Sequence, residues 1–241
     1  MQFFRSRMVR AFVAGAFLAA VAILTAIGAP RAEAQSPSSA SKPPAQKTRS
    51  SSQSRSANGS AADVGSVSNG IYRNSGFGFF CQIPPAWVQR TDEMNARDES
   101  DAAAGTSKKD PGGRVLLAAF SRPPQARAED VNSSIVIAAE SADAYPGLKD
   151  AAQYFGPLTE ITKAQGFTQD GEPYEFAVGA KTLARADFQK DVGTRVMRQS
   201  TLVMLAHGYA VSFTFIGGTE DEVEELIGGL NFATAAKPQH P

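Results

Sequence analysis

The stretch from Tyr72 to Trp87 reads YRNSGFGFFCQIPPAW, and our prediction of the fold starts from it. Every second residue from Phe77 to Ile83 is apolar, which is the two-residue period of a strand with one buried face. Pro84-Pro85 then ends the strand, because proline has no backbone N–H to donate to a sheet. The pattern predicts a strand and a turn, with the large ring of Trp87 closing one end of the core.

Two residue sets in this stretch have a functional alternative. Tyr72, Phe80 and Trp87 could form an exposed aromatic platform for a ligand, although aromatic residues beside an alternating strand are usually buried. Cys81 is in phase with the inward positions, which favours a buried apolar role over a reactive or intermolecular thiol. A single cysteine cannot form an internal disulfide, so we expect the hydrophobic core to hold the domain together.

The first 34 residues have the features of a secretory signal peptide. Three arginines lie within the first ten residues and precede an uncharged apolar run over residues 11–27. Residues 32–34 (AEA) then supply a small-x-small site, so we predict export with cleavage between Ala34 and Gln35. The alternative is an uncleaved membrane anchor, because the apolar run approaches the length of a short membrane span.

Residues 35–69 are rich in serine, alanine and proline and have almost no large apolar side chain, which predicts a disordered linker. Residues 1–34 and 35–69 each contain four basic residues and one acidic residue, a net charge of +3. The total charge is zero, so residues 70–241 have a net charge of −6, which argues against nucleic-acid binding. The basic linker could contact an acidic envelope polymer or anionic lipid, or serve as a tether alone.

Residues 70–233 predict one α+β domain with about seven strands, mostly antiparallel, and residues 234–241 a loose tail. The clearest hairpin joins strands over 196–205 and 209–216 at His207-Gly208, where a tight turn needs positive φ. Four further strands are predicted, at 115–120, 134–139, 174–178 and 183–188.

Helical patterns occupy two places. The first covers 144–165 with a break at Pro157, and the second follows a capping box formed by Thr219 and Glu222. The chain should then dock over 230–232 onto a sheet edge, and on the strand over 183–188 we expect Arg185 and Asp187 to point outward.

Residues 88–113 lose the apolar pattern and are predicted to form a long exposed loop. Its acidic residues Asp98, Glu99 and Asp101 could suggest a cation site within Asp92–Asp110. The spacing lacks the glycine turn and terminal glutamate of a calcium loop, so a solvated charged segment is the simpler interpretation.

The chain resembles PsbP-like domains in four motifs of its opening stretch: Tyr72-x-Asn74, Phe77-Gly78-Phe79, Ile83-Pro84 and Trp87. The closing part is also similar, since Gly208-Tyr209 begins a Phe-rich strand and Asn231-Phe232 ends a short terminal one. The resemblance spans residues 70–233 and implies an antiparallel sheet sandwiched by helices, in a three-layer α-β-α arrangement.

The members of that family include extrinsic subunits of photosystem II, a Ran-binding nuclear transport factor and exported bacterial proteins. The resemblance therefore implies accessory binding rather than catalysis, and the signal peptide and tether fit the exported bacterial branch. No metal-binding or ligand-binding residue carries over, because no matching histidine or carboxylate pair occurs here.

Groups suited to catalysis are sparse. His207 in the hairpin turn and His240 in the tail cannot build a usual zinc site with one cysteine. The chain has no G-x-S-x-G elbow, phosphate loop or dinucleotide fingerprint. Glu172 and Glu175 could act as an acid–base pair, though nothing separates them from ordinary surface carboxylates. The helix N-terminus after Gly217-Gly218 could bind an anion, but acidic residues already occupy it.

The sequence thus predicts an exported, non-enzymatic accessory domain that binds a protein or a cell-envelope component, without cofactor, metal or catalytic residues. It leaves the oligomeric state open. A small-molecule or cation-binding periplasmic protein is the first alternative, and a hydrolase with unrecognised carboxylates is the second.

Overall fold

The computed structural model describes residues 63–103, 113–123, 126 and 130–232. The predicted signal peptide, most of the predicted linker and the tail over 234–241 lie outside these residues. Within the described ranges, no helix combines the length and the apolar character needed to cross a bilayer.

The elements follow along the chain as β1 (Ser66–Ser68), β2 (Ile71–Asn74), β3 (Phe79–Gln82), β4 (Val88–Gln89), α1 (Thr91–Ala103), β5 (Arg114–Phe120), β6 (Ser134–Ser141), α2 (Phe155–Ala164), β7 (Thr168–Val178), β8 (Lys181–Val192), β9 (Arg195–Ala206), β10 (Tyr209–Gly217), α3 (Glu220–Gly228) and β11 (Leu230–Phe232). Two short 3-10 helices, Ala142–Ala144 and Ala151–Tyr154, lie between β6 and α2.

Two antiparallel sheets form the framework. The larger has seven strands in the order β4-β5-β6-β10-β9-β8-β7, and the smaller has four in the order β1-β2-β3-β11. This confirms the predicted α+β fold with a seven-stranded antiparallel sheet. The hairpin of β9 and β10 pairs Tyr209 with Ala206, and both turn residues, His207 and Gly208, have positive φ, as a type I′ turn requires.

The larger sheet is covered on both faces. Successive residues of β8 point to opposite sides, so Leu183 belongs to one core cluster and Ala184 to another. The first cluster fills the space against the smaller sheet and α3, where Phe79 packs edge-on against Phe213 at 4.9 Å between ring centroids. On the other face α2 and the preceding 3-10 helix form one cluster, and Met94 of α1 belongs to a third.

The opening stretch is part of the first cluster. Phe77, Phe79, Cys81 and Ile83 are all buried, and Trp87 packs half-buried against them. Tyr72 is 1% exposed, so an aromatic platform that includes it is ruled out. Burial also raises the pKa of the Cys81 thiol to about 12, which keeps it protonated and unreactive.

The fold begins earlier than the sequence predicts. β1 lies inside the predicted linker and pairs with β2. The Asp63 carboxylate accepts hydrogen bonds from the backbone N–H groups of Gly65 and Gly76 at 3.1 and 2.8 Å, and these bonds lower its pKa. The buried Asn74 amide donates to the Asp63 carbonyl at 2.6 Å. Ordered contacts therefore begin at Asp63 rather than at residue 70.

Gly65 is required at the start of the fold. Its φ is +63°, and a Cβ there would lie 2.5 Å from the Arg73 carbonyl oxygen and 2.6 Å from the Tyr72 hydroxyl. A side chain would thus collide with the backbone of β2, in addition to the strain of a positive φ.

The predicted loop over 88–113 is wrong for its first part, which forms α1. Three hydrogen bonds from two side chains attach this helix to β5. The Asn95 amide exchanges bonds of 3.0 and 3.1 Å with the Val115 backbone, and the Thr91 hydroxyl accepts from Ala118 N–H at 3.0 Å. Met94 is its one buried apolar side chain among those described. These hydrogen bonds and one methionine attach α1 to the sheet in place of an apolar face. Its sequence therefore lacks the apolar spacing by which a buried helix is recognised.

The predicted helix over 144–165 is also shorter than expected. The α-helix starts at Phe155 and continues through Pro157. Proline is tolerated in a first turn, because the N–H groups there have no intrahelical acceptor. The chain before it forms 3-10 turns instead.

Candidate functional site

An open surface groove crosses the first turn of α2. It consists of two adjoining depressions of about 440 and 630 Å³, which share Gln153, Gly156 and Glu160 in their linings. We call the pair the α2 groove. No atom lies within 4 Å of a Cβ built on Gly156, so the helix backbone itself is accessible between the two depressions.

The two ends of the α2 groove differ in chemistry. The first depression is lined largely by apolar groups: Tyr145, Pro146, Leu148 and Pro157. The second is more polar and is lined by Thr159, Gln169, Glu172 and Pro173. Glu160 and Glu172 are exposed, and among the described residues that line the groove there is no lysine or arginine. Lys163, just outside the lining, forms an ion pair with Glu160 (Nζ–Oε1 3.8 Å), so Glu172 supplies most of the negative charge of a partly apolar groove.

The wall of the first depression is anchored to a buried carboxylate. The Tyr145 hydroxyl donates to Glu140 Oε2, and the Tyr154 hydroxyl donates to Glu140 Oε1 at 3.0 Å. The two rings meet edge-on with centroids 5.1 Å apart. Burial, followed by the charge of Glu140, raises the pKa of Tyr154 well above 10.0, so its hydroxyl remains a donor. These contacts hold the Tyr145 ring in place at the groove.

Contacts on the opposite side hold α2 on the sheet. Phe155 and Leu158 are buried in the cluster that also contains Phe167 and Phe188. The Thr159 hydroxyl donates to Gln169 Oε1 at 2.7 Å and so links α2 to β7. Packing and hydrogen bonds therefore hold both walls of the groove in place.

The residues considered from sequence are scattered in the structure. Glu172 lines the α2 groove, whereas Glu175 is not among the lining residues, so the two do not form an acid–base pair there. His207 is exposed at the tip of the β9–β10 hairpin, and His240 lies outside the described residues. In the described part of the chain, no group of three or more histidine, cysteine or acidic residues could hold a metal ion. Residues 104–112 of the acidic segment lie outside it.

The N-terminus of α3 is already occupied by a carboxylate. Thr219 caps the helix by accepting from Glu222 N–H at 3.1 Å, as predicted. Glu222 in turn accepts from Gly218 N–H at 2.8 Å and from the Ser133 hydroxyl at 2.5 Å. The side chain of Glu222 therefore fills the position that an external anion would need.

A second polar cluster was missed because Arg185 was expected to point outward. Arg185 is only 5% exposed and lies under α3. Its guanidinium donates to Asp187 at 3.0 Å, to the Ser200 hydroxyl at 3.0 Å and to Glu224 at 2.5 Å. The signal was present in the alternation of β8, because Arg185 shares its parity with the buried Leu183.

Aromatic residues of β7 cover the outer side of this cluster. The guanidinium carbon of Arg185 lies 4.7 Å from the ring centroid of Phe176. The Tyr174 hydroxyl donates to Asp187 at 2.8 Å, and burial, with this hydrogen bond, raises the pKa of Tyr174 to about 12. Both oxygens of the Asp187 carboxylate and Oε1 of Glu224 accept hydrogen bonds from within the cluster, so we assign it a structural role.

Comparison with known proteins gives similarity at the level of solved structures. No family model matches the chain, and no curated protein matches it. The cyanobacterial PsbP of Synechocystis is similar with a TM-score of 0.41 and 15% identity, and the match covers 72% of this chain and 98% of that one. The Ran-binding protein Mog1p of Saccharomyces cerevisiae has a TM-score of 0.38 and 13% identity, over 69% of this chain and 96% of that one. LpqN of Mycobacterium tuberculosis, involved in cell envelope biogenesis, has a TM-score of 0.35 and 14% identity, over 65% of this chain and 83% of that one.

Proposed function

We propose that this protein is an exported, non-enzymatic binding domain of the cell envelope, which holds an extended, basic segment of a polypeptide in the α2 groove. The observation that carries this proposal is the shape and charge of the groove. Two depressions adjoin across the first turn of α2, and no basic residue occurs in their described lining. Glu172 and Glu160 are exposed, although Glu160 is also paired with Lys163 at 3.8 Å. Its apolar end offers Tyr145 and proline surfaces, which suit proline and the aliphatic parts of lysine and arginine.

The elongated form favours a polypeptide over a compact small molecule. Compact ligands are usually enclosed on most sides, whereas a strand-like segment needs only a channel with side-chain pockets. Gly156 leaves the middle of the groove open, so a main chain can pass over the helix between the two depressions.

The lining also supports a non-enzymatic role. It includes neither histidine, serine nor cysteine among the described residues, and its one aliphatic hydroxyl, on Thr159, already donates to Gln169. A nucleophile needs a neighbouring base to activate it, and Thr159 has an amide oxygen as its partner instead.

A direct titration tests the binding function. A fluorescent peptide of alternating lysine and proline, about twelve residues long, is titrated with the chain from Gln35 onward, alongside a peptide in which glutamate replaces lysine. We expect binding of the lysine peptide only, and a five- to tenfold weaker affinity for Glu160→Lys, since a charge reversal at an exposed contact changes the binding energy by about 1–1.4 kcal/mol.

The matched control is Glu225→Lys, which makes the same charge change on the exposed side of α3, on the other face of the large sheet. It should leave the affinity within twofold of the unmodified protein. Equal binding of both peptides, or equal effects of the two substitutions, would refute a specific site at the α2 groove.

Export is tested separately. The full chain is expressed in a bacterium, and the N-terminus of the protein in the envelope fraction is sequenced. A start at Gln35 is expected, and retention of residues 1–34 would show that the apolar segment is an anchor instead.

A further inference from the structure

We propose that the α2 groove binds a segment of this same chain, residues 42–55, so that the tether occupies the site that a partner would use. This inference rests on the proposed function of the groove. The segment reads KPPAQKTRSSSQSR and contains four basic residues and no acidic one. It is thus a basic, proline-containing polypeptide of the kind that the groove geometry favours.

Charge complementarity supports this occupant over a second copy of the folded domain. Residues 70–241 have a net charge of −6, and the groove adds the exposed carboxylates of Glu160 and Glu172. Two folded domains therefore repel one another, whereas residues 42–55 bring four positive charges to a lining with no described basic residue. The ammonium groups can pair with Glu172, and with Glu160 in exchange for its exposed ion pair with Lys163, while their aliphatic stems contact the apolar end.

The order of residues within the segment fits the two ends of the groove. Lys42-Pro43-Pro44 is preset for the extended polyproline conformation, which docks in grooves lined by aromatic and proline side chains. The first depression provides such a lining with Tyr145, Pro146 and Pro157. Lys47-Thr48-Arg49 is basic and polar and matches the more polar second depression with Glu172.

The point of attachment makes the contact reachable. The described fold begins at Asp63, which is bonded to the smaller sheet, on the face of the large sheet opposite to α2. Lys42 and Lys47 are 21 and 16 positions from Asp63, so an extended chain spans at most about 70 and 53 Å from it, whereas Arg55, eight positions away, reaches at most about 26 Å. A folded domain of this size has a radius of gyration of about 15 Å. A tethered segment within that reach has an effective concentration of the order of millimolar, so a weak intrinsic affinity is enough for occupancy.

The consequence is regulatory. A partner with a basic extended segment has to displace residues 42–55, and an anionic polymer or surface that binds the tether leaves the groove open. The domain would then bind its partner more tightly where the tether is engaged elsewhere in the envelope.

A paramagnetic label on the tether tests the contact. The variant Ala45→Cys is labelled with a nitroxide in the chain from Gln35 onward; Cys81 is 0% exposed and its pKa is raised to about 12 by burial, so the label goes to the new thiol. We expect the amide NMR signals of Gly156 and Thr159 to broaden at least twofold more than those of Glu225 and Gly228 on α3. Glu160→Lys should abolish this difference, and Glu225→Lys should keep it.

Competition supplies a second measurement. Replacing Lys47 and Arg49 with glutamine should strengthen binding of the lysine–proline peptide at least twofold, because the tether then competes less. Equal broadening at α2 and α3, or broadening that survives Glu160→Lys, would overturn the inference. If the free peptide binds but the label causes no extra broadening at α2, the peptide-binding function is supported and the binding of residues 42–55 to the groove is refuted. If the peptide does not bind and the label causes no extra broadening, both proposals are refuted.

Discussion

Replacing Arg185 with methionine removes the positive charge of the cluster under α3 and keeps most of the apolar volume of the side chain. In the folded protein the guanidinium satisfies Asp187, Ser200 and Glu224, and it is stacked on Phe176. Arg185→Met leaves the carboxylates of Asp187 and Glu224 without the cation that binds both of them. We expect a clear loss of folding stability, although Arg185 lies outside the α2 groove.

The magnitude follows from how far the carboxylates can reach water. Removing one partner of a fully buried ion pair costs about 3–5 kcal/mol. The Asp187 and Glu224 side chains are 26% and 43% exposed, so water can partly solvate them after the substitution. We therefore expect the free energy of unfolding to fall by about 2–3 kcal/mol, which corresponds to a melting temperature lower by about 4–12 °C for a domain of this size.

Urea unfolding followed by circular dichroism measures this change, with Arg195→Met as the matched control. Arg195 is exposed at the start of β9, so its substitution should change the free energy of unfolding by less than about 0.5 kcal/mol. The double variant Arg185→Met with Asp187→Met should be more stable than Arg185→Met alone, because the second change removes an unpaired carboxylate. Equal effects of Arg185→Met and Arg195→Met, or simple additivity in the double variant, would refute this account of the cluster.

Three further predictions concern the core and its boundary. Gly65→Ala should lower the free energy of unfolding by at least about 1–2 kcal/mol more than Gly179→Ala, because both glycines have positive φ but an added Cβ meets backbone only at Gly65. Stability should fall as the pH rises above 9, because burial raises the pKa of Cys81 from 9.0 to about 12, so the unfolded chain loses a proton that the folded chain keeps. Tyr154→Phe should cost about 1.5–3 kcal/mol, because it removes a hydrogen bond to the buried Glu140.

Urea unfolding measures all three. Equal losses of stability for Gly65→Ala and Gly179→Ala would show that positive φ alone, and not contact of the added Cβ with the backbone, causes the loss. For the pH dependence, the sign follows from the raised pKa of Cys81 in the folded state. The stabilisation is complete below pH 9 and disappears as the pH approaches 12. Cys81→Ala should therefore flatten the decline between pH 9 and 10, and an unchanged slope would contradict it. A loss under 0.5 kcal/mol for Tyr154→Phe would show that Glu140 does not depend on this donor.

Patterns confined to a few neighbouring residues were predicted well. The β9–β10 hairpin, the Thr219 cap and the buried strand around Cys81 depend on alternation, turn residues and capping groups close together in the chain. The helix over 91–103 was missed because its attachment uses contacts of Asn95 and Thr91 with β5, about twenty or more residues away in sequence. The spacing of apolar residues within a segment gives no information about contacts with a strand so far away in the chain.

Periodicity and charge are properties of the chain alone. They were enough to predict the class of fold, the inward direction of the opening strand, and the division into a basic N-terminal part and an acidic domain. The packing of α3 against one face of β8, which buries Arg185, depends on residues far apart in the chain and became known from the tertiary structure. The tertiary structure also brought the segment over 144–160 beside Gln169 and Glu172, which formed the α2 groove. A groove is the space between elements that are packed separately, so no single stretch of sequence encodes it.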